Sequence, residues 1–290
     1  MMAVRPMETE EPASTFEEEL ASTQLWTLVW VLGAAFLALG LIRALFSDPV
    51  LGRLANALVS TSAMLFWVLR MTPHQDYRLG ALLGEPPRAS AWGALLGVVA
   101  ANLGLGVALL ELGRITGVPL AAPGSWGMAS SGVGALIDVA NLVVFGALLT
   151  PVAEELVFRG VLFRKWRRTL GPVKGLLLSS ALFGVVHGGS MLPVAVAGLS
   201  LSLLYTSTRS LWAPILAHIL NNCFFVASAL VPWSLGRRSF ALNLTTTQVA
   251  VLLCSSLAGL LAFGWRSAST LSAPLPPLRN APLLAPAETQ

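Results

Sequence analysis

The chain has 290 residues, of which 55% are hydrophobic and only 11% charged, with a mean hydropathy of +0.74. Soluble domains carry about a quarter of their residues as charges, so this composition excludes one and points to a polytopic membrane protein. A net charge of +4 and a pI near 9.7 do not indicate nucleic acid, because the basic residues fall in short gaps between apolar blocks, without a basic stripe or interleaved aromatics.

Residues 1–22 hold six glutamates (8, 10, 11, 17, 18 and 19) against Arg5 alone. That is the reverse of a signal peptide's basic leading region, and the stretch reads as a disordered acidic tail. Apolar runs of roughly 17–25 residues then predict eight spans, near 25–43, 54–71, 91–112, 133–158, 173–188, 191–207, 211–231 and 247–265. The fold class is therefore all-α, a polytopic transmembrane helical bundle over residues 23–266. The fifth and sixth runs nearly touch at Gly188, Gly189 and Ser190, which marks one of them as a partial or tilted span. Past Arg266 the prolines forbid a continuous helix, and 267–290 reads as a second disordered tail.

Arg159 apart, twelve Lys and Arg fall on the side of the termini and five on the other. This bias puts both termini in the cytoplasm. Cys223 and Cys254 lie inside apolar runs without metal or redox spacing and read as small buried hydrophobes.

Ionisable side chains inside apolar runs cost about 2.5–3.5 kcal/mol on insertion scales and mark function. The fourth run carries Glu154, Glu155 and Arg159. Glu155 and Arg159 differ by about 40° around a helix and form an acid-before-base pair, while Glu154 points about 100° away and has no partner in its own helix. Asp138 and Asn141 turn a polar side inward in the same run, the pattern of helix-packing glue. Two of the three histidines fall in later runs: His187 closes the fifth, and His218 shares a face of the seventh with Asn222. His74 follows Pro73 in a polar loop and reads as solvated. Each histidine alone suits a packing role. Together, three spans bringing polar groups inward would cost several kcal/mol unless they met one another or water, so they should converge on one wet cavity.

A carboxylate there can take a proton from water with an imidazole beside it, which suits Glu154 and His187. Attack on an amide carbonyl creates an oxyanion that needs preformed donors, which suits His218 and Asn222. Glu155 and Arg159 are then structural support, and amide hydrolysis within the membrane is the implied reaction.

At these residues the chain resembles the intramembrane glutamate proteases that include the type II CAAX prenyl proteases and the bacterial CAAX-protease and bacteriocin-processing (abortive-infection) proteins. Their pattern is EExxxR, FxxxH and HxxxN on three spans. Here it runs Glu154-Glu155 to Arg159, Phe183 to His187, and His218 to Asn222, in order on separate apolar runs. The resemblance is strong over about 130–231, the expected catalytic core. It implies the eight-helix CAAX-endopeptidase bundle, with Glu154 and His187 activating water, His218 and Asn222 holding the oxyanion, and Phe183 packing the second motif. It also implies a peptide or membrane-protein substrate, prenylated or bacteriocin-like, and a bacterial inner membrane as the setting.

No required metal or other cofactor is expected, since neither HExxH nor an i,i+4 histidine pair is present. Ser190 lacks the following residues a rhomboid-type serine would have, and Asp138 is a lone membrane aspartate where a presenilin-type enzyme needs two. Beside proteolysis stand a non-catalytic scaffold or bacteriocin-immunity protein, and a small transporter. The latter would show internal repeats and broken helices, and no repeat is found here.

Overall fold

The computed structural model describes residues 24–45, 48–71, 82–118, 120, 132–234, 242–273 and 275. The acidic tail 1–22, His74 and most of 267–290 lie outside the described residues, as do several loop cations on which the orientation rests (Arg5, Arg78, Arg237, Arg238 and Arg279).

Among the described residues there are eight helices and no strand: α1 Trp26–Leu45, α2 Pro49–Met71, α3 Trp92–Thr116, α4 Gly132–Leu170, α5 Pro172–Val185, α6 Met191–Thr208, α7 Trp212–Ser234 and α8 Thr246–Leu271. Each expected span has its helix. Six are long and apolar enough to cross a bilayer, while the described apolar stretch of α1 (Trp26–Ile42) and α5 are shorter. The chain is a multi-pass integral membrane protein whose fifth hydrophobic segment, α5, has 14 residues.

The largest departure from the hydropathy reading is α4. It does not stop at 158 but runs on to Leu170, 39 residues in all, nearly twice the length that a bilayer of roughly 30 Å requires at about 1.5 Å per residue. The charges that end the apolar run do not end the helix, because Arg159 and Arg164 are buried against other helices. The last helix likewise runs on to Leu271, and its start is fixed by a capping box between Thr245 and Gln248.

Small residues set the closest helix contacts, as lipid-immersed bundles require. A Cβ on Gly184 of α5 would stand 2.6 Å from the Met191 carbonyl and 2.7 Å from the Ala195 Cβ, and one on Gly198 of α6 would stand 3.2 Å from the Ser180 Cα. These absences of side chain let α5 and α6 lie against each other and bring Phe183 into the centre. The main core gathers Trp67 from α2, Phe158 and Phe163 from α4, Phe183 from α5, and Tyr205 from α6. The outward faces are apolar too: Trp265, Leu261, Phe36 and Val29 are exposed. Cys223 and Cys254 are also exposed, which corrects their reading as buried. In a membrane protein an apolar neighbourhood does not distinguish core from lipid-facing surface.

Asp138 holds helices together, but not with Asn141. Its carboxylate is clasped by Arg53 of α2, with Nε donating to Oδ1 at 2.8 Å and Nη2 to Oδ2 at 2.6 Å, while the Asn141 Oδ1 has no partner. Asp138 is 2% exposed and Arg53 28%, so the fork–fork pair is shielded from competing water and ties α2 to α4. Asp138→Ala is expected to lower stability by roughly 1–3 kcal/mol by stripping the guanidinium of this carboxylate. The double variant Asp138→Ala/Arg53→Ala should recover part of the loss, measured as the apparent Tm in detergent micelles.

Candidate active site

The site is built around a proline. Pro151 sits inside α4, where it can donate no backbone hydrogen bond. The chain answers with a π-helical stretch, Leu142–Leu149, in which the Thr150 amide reaches back to the Phe145 carbonyl. That bond skips Gly146, and the next residue able to serve the Gly146 carbonyl is the proline itself. The orphaned carbonyl takes its hydrogen bond from outside the helix: the Asn222 Nδ2 of α7 donates to it at 2.9 Å. A second π-helical stretch, Leu156–Phe163, follows Thr150–Glu155. The two glutamates therefore stand at the end of a six-residue stretch of regular helix between two widened segments, and π segments often mark functional sites.

Glu155 and Arg159 are almost completely buried and bonded to each other, with the Arg159 Nη1 donating to the Glu155 Oε1 at 2.5 Å. Desolvating such a pair is costly unless further bonds satisfy it. Arg159 has them: Nη2 donates to the Gly198 carbonyl at 3.0 Å and Nε to the Ser202 Oγ at 3.4 Å, both on α6. Its guanidinium also lies 4.5 Å from the centre of the Phe183 ring.

His187 is placed two residues past the end of α5. Its Nδ1–H donates to the Phe183 carbonyl at 2.6 Å, closing a helix terminus that would otherwise leave that acceptor open. Gly188, at φ +56°, then turns the chain away. With Nδ1 the protonated nitrogen, the neutral ring presents a bare Nε2, and this stands 3.7 Å from the Glu154 Oε1. His218 is arranged in parallel. Its Nδ1 lies 2.8 Å from the Glu155 Oε1, and its Nε2 stands 3.7 Å from the other Glu154 oxygen, Oε2.

Glu154 is thus flanked by two imidazoles, one per carboxylate oxygen, brought from two other helices. Both gaps exceed direct hydrogen-bonding distance. Glu154 is 14% exposed and the His187 side chain 30%, so this corner of the cluster opens to the surface of the bundle. The Phe183 ring packs both imidazoles, at 4.7 Å from His187 and 5.7 Å from His218 between centroids, and lies 4.9 Å from Phe158.

The structure therefore gathers Glu154, Glu155, Arg159, Phe183, His187 and His218 in one cluster, and anchors Asn222 one helical turn beyond His218. Carboxylate and imidazole are ligand types that zinc accepts, yet among the described residues no three His, Cys, Asp or Glu side chains are set to hold a metal ion. Sequence reasoning missed Pro151, Gly146, Gly198 and Ser202. A proline three residues before the first glutamate, deep in an apolar run, was the available signal.

The fold and this buried acid–imidazole cluster define a multi-pass membrane protein with a polar site inside its helix bundle. Residues 137–224, which contain every residue of the cluster, match the family described as type II CAAX prenyl endopeptidase, Rce1-like. It is similar to a candidate membrane peptidase, YdiL, of Bacillus subtilis, with 30% identity over 112 residues covering 37% of this chain and 46% of that protein. It is also similar to the membrane-embedded CAAX protease MroQ of Staphylococcus aureus, with 32% identity over 97 residues covering 31% and 39%. The chain spans less than half the length of these curated relatives. No solved structure matches it.

Pro151→Ala restores an amide that competes for the Gly146 carbonyl. The expected result is a return of residues 142–149 to regular α-helix and release of the Asn222 carboxamide, seen directly in an experimental structure of the variant. Truncating the shared ring in Phe183→Ala is expected to cost about 3–5 kcal/mol, read as a lowered apparent Tm.

Proposed function

We propose that the protein is an intramembrane endopeptidase of the glutamate type, hydrolysing a peptide bond of a lipid-modified, bacteriocin-like or membrane-protein substrate without a bound metal. The observation that carries this reading is the Glu154 carboxylate lying between two imidazole Nε2 atoms at 3.7 Å each.

Water held between Glu154 and His187 gives its proton to this pair as its oxygen attacks the scissile carbonyl carbon. The resulting oxyanion is met by donors fixed beforehand, His218 and the amide hydrogen of Asn222 not spent on Gly146. Collapse breaks the C–N bond, the proton taken from water passes to the departing nitrogen, and the products are a carboxylic acid and an amine. Because these groups are oriented by neighbouring helices before substrate arrives, little reorganisation is needed in the reaction. The family match over 137–224 and the CAAX protease name carried by the Staphylococcus aureus relative support the same reading.

The test is terminal proteomics of membrane peptides from cells carrying wild-type or Glu154→Ala protein, followed by turnover of the substrates found in reconstituted membranes. Glu154→Ala and His187→Ala should each abolish cleavage, and His218→Ala should lower it about 10²–10³-fold. New peptide termini that persist with Glu154→Ala, or that never arise with wild type, would sink the proposal, and the second outcome would favour a non-catalytic scaffold. Turnover should survive a chelator; loss of activity restored by added zinc would overturn the metal-independent mechanism.

A further inference from the structure

The end of the bundle at which α4 stops differs in charge from the opposite end. There, Arg53 pairs with Asp138 and Arg114 with Glu111. Here, the hairpin of α4 and α5 carries Arg164, Lys165, Arg167, Arg168 and Lys174 without an intervening acid in the sequence. Gly171, at φ +89°, reverses the chain between the two helices. Gly175 lets them close, since a Cβ there would stand 2.5 Å from the Arg167 amide nitrogen. Lys174 is thereby brought beside the last turns of α4, where Lys165 and Arg168 share one face.

Positive charge alone would suit any turn standing in water. This turn also carries apolar surface directly beside its cations: Leu170, Val173, Leu177 and Leu178 are exposed, as are Arg168 and Lys174. Val173 and Leu177 fall on one face of α5. Such a juxtaposition is that of a bilayer interface, with cations at the headgroups and apolar side chains below them among the acyl chains. The depth agrees. Along α4, Asp138 and Arg168 are about 45 Å apart at about 1.5 Å per residue, and a bilayer with its headgroup layers is about 40–45 Å thick. With the Arg53–Asp138 pair in one headgroup layer, the basic turn falls in the other.

We infer that the turn joining α4 to α5 is a binding surface for anionic phospholipid, with Lys165, Arg168 and Lys174 receiving the headgroup phosphate and Leu170, Val173 and Leu177 lying against the acyl chains. The inference does not rest on the peptidase reading. Its consequence for the site is positional, because lipid held here fixes the depth of the helix that carries Glu154 and Glu155.

The test uses the full chain, purified in an uncharged detergent and titrated with phosphatidylglycerol or phosphatidylcholine, with bound lipid read by native mass spectrometry. Phosphatidylglycerol should bind at least about tenfold more tightly than phosphatidylcholine. Arg168→Gln/Lys174→Gln should weaken phosphatidylglycerol binding about 25-fold, about fivefold for each cation removed, and leave phosphatidylcholine binding unchanged. Arg70, at the end of α2, and Arg88, ahead of α3, are exposed at the same end of the bundle. Arg70→Gln/Arg88→Gln removes the same charge outside the surface and should weaken binding less than about threefold, since exposed charges more than about 10 Å away are screened at 0.1 M salt.

Equal binding of the two lipids by the wild-type protein would overturn the inference and leave the cations as determinants of topology only. An equal loss in the two double variants, or displacement of phosphatidylglycerol by inorganic phosphate at equal concentration, would overturn it as well. The wild-type comparison decides even where a variant does not fold.

Discussion

A guanidinium buried in the middle of a helix bundle must find an acceptor for its donors, and the donors of Arg159 fix the geometry of the site. One points along its own helix to Glu155, and two cross to the Gly198 carbonyl and the Ser202 hydroxyl of α6. The crossing bonds need α6 close, which glycines at 184 and 198 permit, and the same closeness seats Phe183 under the guanidinium and against both histidines. Arg159 thereby sets where Glu155 stands, Glu155 sets the face that His218 presents, and the acid that remains, Glu154, lies between the two rings.

Backbone defects do the complementary work. Pro151 removes an amide, and the π-helical turn before it leaves one carbonyl to be claimed by Asn222 across the helix interface. The end of α5 leaves the Phe183 carbonyl open, and His187 closes it with the nitrogen that the site does not use. In both cases a side chain with a place in the site also satisfies an orphaned backbone acceptor, which in a membrane has no water to turn to. A residue held by such a bond has little rotational freedom left to lose, and that is what a preformed donor or base requires.

Much of this was legible in the sequence because the membrane simplifies the code. With apolar residues expected throughout the spans, each charged or amide side chain inside a run stood out, and the order Glu154-Glu155, His187, His218 and Asn222 marked the cluster before any coordinates. The eight helices followed from the same hydropathy blocks. What stayed hidden had physical reasons. The pairing of Asp138 with Arg53 joins residues 85 positions apart, a separation that no helical period reports. The continuation of α4 past 158 was masked because hydropathy treats buried, paired arginines as a boundary. Cys223 and Cys254 were misread because lipid-facing and core-facing positions are equally apolar. The role of Pro151 was hidden because a proline in a run reads as a break, whereas a π turn and a neighbouring carboxamide absorb it.

The Arg159–Glu155 pair is poor evidence for stability in itself. Taking two ions out of water costs several kcal/mol each, and buried pairs of this kind can often be replaced by well-packed apolar residues of similar volume without loss, or with a gain. An apolar replacement here would fill the space between α4 and α6 as well as the ion pair does, and would leave the bundle its glycine contacts and its aromatic core. It could not take a hydrogen from His218, nor hold that ring with Nε2 towards Glu154. The pair is therefore better explained by what it orients than by what it stabilises. The unpartnered second oxygen of Glu155 is consistent with this: a carboxylate selected only for satisfied burial would not leave one acceptor open in a dry interior, whereas one selected to offer a single oxygen to two donors can.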